Sequence, residues 1–336
     1  MLKMLEFFGG IGAPRMAMEN LRVKIKSMDY VEILRMAVQA YNAMFDNGYT
    51  QQDICEWNTN VDLLVHGSPC QDFSKNGLND ITSGRSVLYN RTLDIVATEI
   101  KFPRVVIWEN VANLLSKTHR HHFDHYLETM ESFGYTNYYK ILNASDYGIP
   151  QNRERIFCVS VYGEHEPFEF PEPVPMRDIR EFIDPTVNPK DYPLTEGEQS
   201  LFFIENNELF IHVNTKAKQL KVKEYDIINV ERPTSKTRRG RIKQEKQMAQ
   251  TLTTSQNQAV YINGYVRKLT ALEHWRLMGF DDKTYSALKA IGIADGTIVQ
   301  LAGNSIVVQV LEAIYKQLFI AQILTPEYEK EERRSL

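Results

Sequence analysis

An alternation over the first half of the chain narrows the fold most. Short apolar, β-branched runs take turns with segments that are apolar at helical spacing. Residues 2–8 read as a strand, 13–20 as a helix and 24–28 as a second strand. Residues 34–45 follow as a helix, with Met36, Ala37, Ala40, Tyr41 and Met44 expected on one face. Residues 61–65 and 104–108 are compact apolar runs fit for central strands, 123–133 a further helix and 155–161 a further strand. Strands separated by helices cannot pair as hairpins, so the pattern predicts a mostly parallel sheet covered by helices.

The texture changes after about Glu164. Pro167, Pro171, Pro173 and Pro175 break regular structure, and a polar, weakly periodic stretch follows. Helical periodicity returns at residues 270–278 and in a last helix at 305–318, before a mixed-charge tail at 327–334. Two lobes are expected. The chain has 336 residues, 43% hydrophobic and 24% charged, ordinary globular composition. No run of apolar residues is read as long enough to span a bilayer, and the first residues lack a signal-peptide layout, so a cytoplasmic protein without a membrane is expected.

Three cysteines occur, Cys55, Cys70 and Cys158, far apart in sequence. That spacing makes neither a zinc site nor a disulfide framework, and no metal is expected. His121 and His125 stand four apart, but the segment from His119 reads as the polar, solvated start of a helix. Trp57, Trp108 and Trp275 read as core residues. The net charge is −4, from 39 Lys and Arg against 43 Asp and Glu, which gives no general affinity for nucleic acid. Basic residues do gather locally: Arg232, Lys236, Arg238, Arg239, Arg241, Lys243 and Lys246 face a single acid, Glu245, in that run. It reads either as a solvated loop or as a surface that neutralises phosphates.

Four short segments sit where an α/β sheet binds ligands, at the carboxyl ends of strands. Phe8-Gly9-Gly10-Ile11-Gly12 is a glycine-rich turn leading into a helix, where backbone N–H groups can approach a ligand. Glu32, just past the second strand, and Asp53-Ile54 read as ribose-binding acid positions or as plain surface carboxylates. Gly67-Ser68-Pro69-Cys70-Gln71 puts a thiol at a strand end, a nucleophile or a loop cysteine without a role. The Gly-, Asn- and Ser-rich stretch 72–86 after it reads as a mobile loop fit to close over a substrate. Glu109-Asn110-Val111 follows the 104–108 strand, with Asn110 placed to cap the next helix. Gln151-Asn152-Arg153-Glu154-Arg155 enters another strand, and strict alternation puts Arg153 and Arg155 on one side of the sheet.

Together and in this order, these segments resemble the C5-cytosine DNA methyltransferase family over nearly the whole chain. Phe8–Gly12 looks like the family's cofactor motif, Pro69-Cys70-Gln71 its catalytic motif, Glu109-Asn110-Val111 its third hallmark and Gln151 to Arg155 its QxRxR motif. Ala249-Gln250-Thr251-Leu252-Thr253 resembles the motif bordering the recognition region, and Gly303-Asn304-Ser305 the last motif. Departures are Gly9 where Ala is frequent, Glu6 where Asp is commoner, and Arg85-Ser86-Val87-Leu88 as a loose fifth motif.

The resemblance implies an α/β fold: a Rossmann-like S-adenosylmethionine-dependent methyltransferase domain (1–168), a second, smaller target recognition domain with its border (169–285), and a return to the catalytic domain (286–336). It implies methyl transfer from S-adenosyl-L-methionine to cytosine C5 in duplex DNA, leaving S-adenosyl-L-homocysteine. Cys70 would add to C6 of a flipped-out base, Glu109 would act at N3, and Arg155 and Arg153 would bind O2 and hold Glu109. The cofactor would lie across Phe8, Gly10, Ile11, Gly12, Glu32, Ile33, Asp53, Ile54, Pro69, Leu88, Asn304 and Ser305. DNA would meet Gln71, Ser74, Arg232, Lys236, Arg238, Arg239 and Arg241. The family default is a monomer, with a cognate restriction endonuclease, where there is one, acting separately. Two alternatives stay open: a cytosine-C5 methyltransferase acting on tRNA, and a catalytically inactive DNA-binding relative.

Overall fold

The computed structural model describes residues 1–56, 61–69, 88–98, 101–243 and 246–328. The chain divides into two compact units. One comprises Met1–Asn143, Glu154–Pro173 and Ile306–Leu336, the other Ala144–Arg153 and Val174–Ser305.

The first unit begins with β1 (Leu2–Phe7), α1 (Ala13–Asn20), β2 (Ile25–Val31), α2 (Arg35–Phe45), β3 (Leu63–His66), α3 (Tyr89–Ala97) and β4 (Val105–Val111). It continues with α4 (Arg120–Ser132) and β5 (Tyr135–Asn143). The chain then passes through β6 (Gln151–Asn152), which belongs to the second unit, and returns as β7 (Glu154–Tyr162). Six strands form one sheet in the order β2-β1-β3-β4-β7-β5. β1 pairs in parallel with β2 and β3, and β3 with β4, whereas β7 runs antiparallel to both β4 and β5. The expected mostly parallel sheet is present, with β7 as the reversed strand.

Period-2 alternation buries both faces. Leu5, Phe7, Leu64, Val106, Trp108, Ile156 and Cys158 pack with Leu93 and Val96 of α3 and with Phe123, Tyr126 and Met130 of α4. Met4, Glu6, Leu63, Val65, Val105, Ile107 and Val159, the alternate residues, are buried on the other face. Full burial of each such aliphatic side chain is worth roughly 1.5–3 kcal/mol. The four central strands, β1, β3, β4 and β7, are therefore anchored from both sides.

The second unit carries a short α5 (Glu196–Gln199), β8 (Phe202–Glu205), β9 (Glu208–His212), β10 (Gln219–Lys221) and β11 (Ile227–Asn229). After these come β12 (Ala249–Gln250), β13 (Gln258–Ile262), β14 (Tyr265–Lys268), α6 (Ala271–Arg276), α7 (Asp282–Ala290) and α8 (Asp295–Asn304). Two three-stranded sheets, β10-β9-β8 and β11-β13-β14, close over a small core of Leu194, Ile211, Ile228, Val230 and Ala259. α6 starts at a capping box in which Thr270 and Glu273 exchange hydrogen bonds with each other's backbone. Glu273 also pairs with Arg267 at 2.7 Å, both side chains fully buried. Removing one partner of such a pair costs about 3–5 kcal/mol, because it strands the other charge.

α9 (Val308–Ile320) belongs to the first unit. Residues Asp295–Ile320 together have the length and apolarity of a membrane span, with mean hydropathy 1.4, contrary to the expectation that no run is long enough. The stretch is two helices, however, broken after Asn304 and resuming at Val308, and 61% of the apolar window is buried inside protein. Its apolarity belongs to two cores. The single last helix expected at 305–318 likewise starts three residues later.

Two further expectations change. α2 buries Ala37, Val38, Ala40, Tyr41 and Phe45, while Met36 is exposed. The apolar residues of this helix encircle it, so spacing alone did not choose the face. His119 is buried at 3% exposure, at the N-cap of α4, and His122 faces the Tyr89 hydroxyl at 3.1 Å. That end of the helix is therefore packed on the His119 and His122 side, while His121 and His125 are exposed as expected.

Candidate active site

The turn 8–12 leaves β1 with Phe8 at φ 54°, Gly10 at φ 54° and Gly12 at φ 76°. Positive φ at Gly12, the N-cap residue, lets α1 start directly, with Pro14 in its first turn. The turn is pinned by the strand beside it. Gly9 N–H donates to the Val31 carbonyl at 3.3 Å, and the Tyr30 hydroxyl donates to the Gly10 carbonyl at 2.6 Å.

Glu32, 8% exposed, completes the arrangement. One carboxylate oxygen accepts the Gly10 N–H at 3.0 Å and the other the Leu34 N–H at 2.8 Å. Burial raises its pKa, and these backbone donors oppose the rise. Ile33 and Leu34 beside it are 58% and 50% exposed, an apolar surface next to an oriented acid. A Cβ on Gly10 would meet nothing closer than 4.0 Å, so the turn faces open space there. Ile11 and Ile54 are buried, Asp53 is exposed and accepts the Cys55 N–H at 2.9 Å, and Leu88 caps α3 half-buried. An open glycine, an aligned carboxylate and exposed apolar side chains suit a ligand with a sugar diol and a flat ring, and these residues fit S-adenosylmethionine.

The next strand ends lie side by side. β3 and β4 are in register with His66 opposite Trp108, so Gly67 follows β3 beside Glu109. A Cβ on Gly67 would sit 3.6 Å from Glu109 Oε2. Glu109, 9% exposed, pairs through Oε1 with Arg155 Nε at 3.0 Å, and β4–β7 register places Arg155 opposite Val111. Ser68 and Pro69 continue from Gly67, Ser68 buried and Pro69 half-buried. Cys70, Gln71 and Ser74 lie outside the described residues, as do Trp57 and the 72–86 segment.

Asn110 does not cap a helix. β4 runs on through Val111 because β7 pairs with it to that point, and Asn110, 1% exposed, donates to the Ser68 carbonyl at 3.2 Å. The short 3-10 turn that follows, Ala112–Leu115, has no side-chain cap.

Arg153 and Arg155 part company. Arg153 falls between β6 and β7, where the strand alternation is interrupted, and belongs to the second unit. Its guanidinium donates to the carbonyls of Leu252 at 2.8 Å, Gly303 at 3.0 Å and Ser305 at 2.8 Å. Gln151 is equally committed: it donates to the Leu277 carbonyl at 2.8 Å and accepts the Leu252 N–H at 3.0 Å. A Cβ on Gly303 would run into the backbone of Thr253. Three motifs read as functional thus meet as a scaffold within the second unit. At its edge Asn304 is exposed and Ser305 is 8% exposed.

The basic run also divides. Arg241 is 1% exposed and donates to the carbonyls of Asn229, Glu231 and Arg232 at 3.0, 3.2 and 3.1 Å, so it braces its own loop and is no phosphate ligand. Arg238 pairs with Glu231 at 3.0 Å, an acid just outside the run. Arg232, Lys236, Arg239, Lys243 and Lys246 are exposed. Among the described residues, no cluster of His, Cys, Asp or Glu is suited to a metal ion.

Sequence reasoning passed over Ser68 and treated Trp108 as core alone. Trp108 Nε1 donates to Ser68 Oγ at 2.9 Å. The signal was present as a polar residue two before a thiol, but its partner is set by β3–β4 register, which pattern does not specify.

An S. pombe Dnmt2 methyltransferase crystal structure matches 95% of this chain and 99% of its own, with TM-score 0.72 and 18% identity. Sheet order and the reversed β7 define an α/β fold shared with that structure. The family model for C-5 cytosine-specific DNA methylase matches residues 2–320, and the chain belongs to that family. It is similar to the type II methyltransferase M2.ScrFI of Lactococcus lactis subsp. cremoris, 32% identical across 78% of this chain and 67% of the relative. It is also similar to the type II methyltransferase M.NgoBI of Neisseria gonorrhoeae, 30% identical across 97% of this chain and 95% of the relative. The enzyme is a DNA (cytosine-5-)-methyltransferase.

Proposed function

We propose that the chain methylates C5 of a cytosine flipped out of a specific duplex DNA sequence, through a covalent adduct with Cys70. The observation that carries the reading is the pairing of strand ends: Gly67, three residues before Cys70, lies against the Glu109 carboxylate, which Arg155 holds at 3.0 Å. C5 of cytosine is a poor nucleophile. Addition of the Cys70 thiolate to C6 moves electron density to C5, and Glu109 at N3 offsets the charge that develops in the ring. Arg155 keeps Glu109 aimed and would hydrogen-bond O2. Once C5 has taken the methyl group, a water-mediated base accepts the C5 proton, and the resulting elimination restores the C5–C6 double bond and releases the thiolate.

S-adenosylmethionine supplies the electrophilic methyl group. Phe8, Gly10, Gly12, Glu32, Ile33, Asp53, Ile54, Pro69 and Leu88 would hold it, with Glu32 taking the ribose hydroxyls. The chemistry needs an unstacked base, since C6 is inaccessible in a duplex. Arg232, Lys236 and Arg239 are exposed and would meet phosphates, the sequence-independent part of binding. The type II names of the relatives support a place in a restriction-modification pair; a cytoplasmic monomer acting apart from any endonuclease is part of the same proposal.

The test is transfer of labelled methyl to duplex DNA and to tRNA, followed by bisulfite sequencing of DNA from expressing cells. Wild type is expected to label duplex DNA and to be trapped on duplexes carrying 5-fluorocytosine. Cys70→Ser is expected to bind DNA without transfer or trapping. Near-normal turnover by Cys70→Ser would refute the covalent route.

A further inference from the structure

β3 hands the chain from the sheet to the nucleophile segment within three residues, and two side chains of β4 take hold of the middle one. Ser68, 4% exposed, accepts through Oγ the Trp108 indole N–H at 2.9 Å, and its carbonyl accepts Asn110 Nδ2 at 3.2 Å. Asn110 is in turn fixed by the Val111 N–H, which it accepts at 2.8 Å.

The indole itself cannot swing. The His66 ring stacks on it at 5.7 Å and 6°, the Tyr89 ring at 5.2 Å and 24°, and Tyr126 lies 4.4 Å away. His66 is fully buried, and neither ring nitrogen meets a hydrogen-bond partner among the described residues. Burial pushes its pKa down to about 3, so the ring stays neutral and acts as a flat apolar wedge. A buried histidine left without partners is costly, and its neighbour at the same strand end is a hydrogen bond to the turn before Cys70.

We propose that Trp108 is a positioning residue for the methyl-transfer reaction: clamped by His66 and Tyr89, its indole N–H fixes Ser68 and so sets the direction in which the chain leaves β3 toward Cys70. The proposal rests on the reading of Cys70 as nucleophile. An error of about 1 Å in the placement of an attacking atom can slow reaction roughly 100-fold, so one well-aimed hydrogen bond has leverage on rate out of proportion to its stability.

The experiment is the rate of covalent trapping on a 5-fluorocytosine duplex with S-adenosylmethionine present. It compares wild type, Trp108→Phe, Ser68→Ala, Ser68→Thr and the Trp108→Phe/Ser68→Ala double variant. Trp275→Phe is the control, since it removes another buried indole N–H, donated to Thr284 Oγ1 at 3.0 Å. Trp108→Phe and Ser68→Ala are each expected to slow trapping about 10- to 100-fold, with cofactor and DNA Kd within about twofold of wild type. The double variant should be no slower than the slower single, because both remove one interaction. Ser68→Thr, which keeps the hydroxyl, should recover most of the rate, and Trp275→Phe should lower the thermal midpoint without slowing trapping.

Trapping by Trp108→Phe or Ser68→Ala at the wild-type rate per folded molecule overturns the proposal, as do single-variant losses that multiply. If Trp108→Phe fails to fold, Ser68→Ala against Ser68→Thr decides alone. A wild type that is never trapped instead overturns the Cys70 reading, and the proposal with it.

Discussion

Glu6 offers a perturbation whose size follows directly from its surroundings. It is fully buried on β1, beneath the turn 8–12, and its Oε1 accepts the Arg15 N–H at 2.7 Å, tying the first turns of α1 to the sheet. Burial pushes its pKa from 4.5 up to about 8, against the pull of that backbone donor, the Arg15 charge and the Tyr41 hydroxyl. Between these values the folded state keeps a proton that the unfolded chain has lost, so stability falls as pH rises through the window. The slope is about 1.4 kcal/mol per pH unit, and from pH 5 to pH 8 the loss comes to roughly 3–4 kcal/mol. Around Glu6, burial raises Tyr30, Tyr41 and Tyr315, which stay neutral over this range, and Arg15 stays charged. Glu6→Gln keeps an oxygen for the Arg15 N–H and carries no charge at any pH. Chemical denaturation of both proteins at pH 5, 6, 7 and 8 should therefore show the variant gaining on wild type by roughly 3–4 kcal/mol across the series. In thermal melts that is roughly 6–16 °C, at about 2–4 °C per kcal/mol for a unit of this size. The His66 contribution has the opposite sign, since its folded pKa is depressed to about 3: stability from its neutral form is lost as pH falls below the unfolded 6.5. It is common to both proteins and cancels in the difference. Curves that stay parallel from pH 5 to pH 8 would refute the argument that Glu6 is buried as an acid.

Two other perturbations separate scaffold from surface. Arg153→Met should lower stability by about 3 kcal/mol or more, because it strands three buried carbonyls, and calorimetry that finds an unchanged midpoint would contradict the clamp. The triple variant Arg232→Ala/Lys236→Ala/Arg239→Ala should melt like wild type yet reduce the slope of log Kd against log salt by about 2–3, at about 0.9 for each phosphate that is no longer neutralised. Binding isotherms at four salt concentrations measure it, and an unchanged slope would remove these residues from the DNA surface.

Much of the first unit was legible because its signals are local. Residues 13–20 are helical as read, since a left-handed Gly12 and Pro14 mark the start within three residues. Five of the sheet's six strands were read and β5 (Tyr135–Asn143) was missed, and the ends of those found were not fixed: β4 gains Glu109, Asn110 and Val111 from pairing with β7, a partner more than forty residues away. Arg153 and Arg155 show the same limit more sharply. Alternation predicts a shared side only while the strand is unbroken, and the break between Asn152 and Glu154 sends the two guanidinium groups to different duties in different units. In the basic run, nothing in composition sets Arg241 apart from Arg239, because burial there is decided by which carbonyls the loop happens to leave unsatisfied.

The glycines carry the same lesson to the site itself. A turn written Gly9-Gly10-Ile11-Gly12 reads as one device for letting a ligand approach the backbone, but its glycines answer to different neighbours. A Cβ at Gly9 would lie 2.7 Å from the Tyr30 ring, and one at Gly12 2.6 Å from Tyr41 and Phe45, so both are demanded by aromatic packing beneath the turn. Gly10 alone faces open space, and it alone has its N–H bound by Glu32. Packing below thus fixes the turn's shape, and that shape leaves Gly10 and Glu32 presented together above it. Substitution at Gly9 or Gly12 should therefore act through stability. A side chain at Gly10 instead intrudes where the cofactor is proposed to lie, at a φ of 54° that disfavours it in any case.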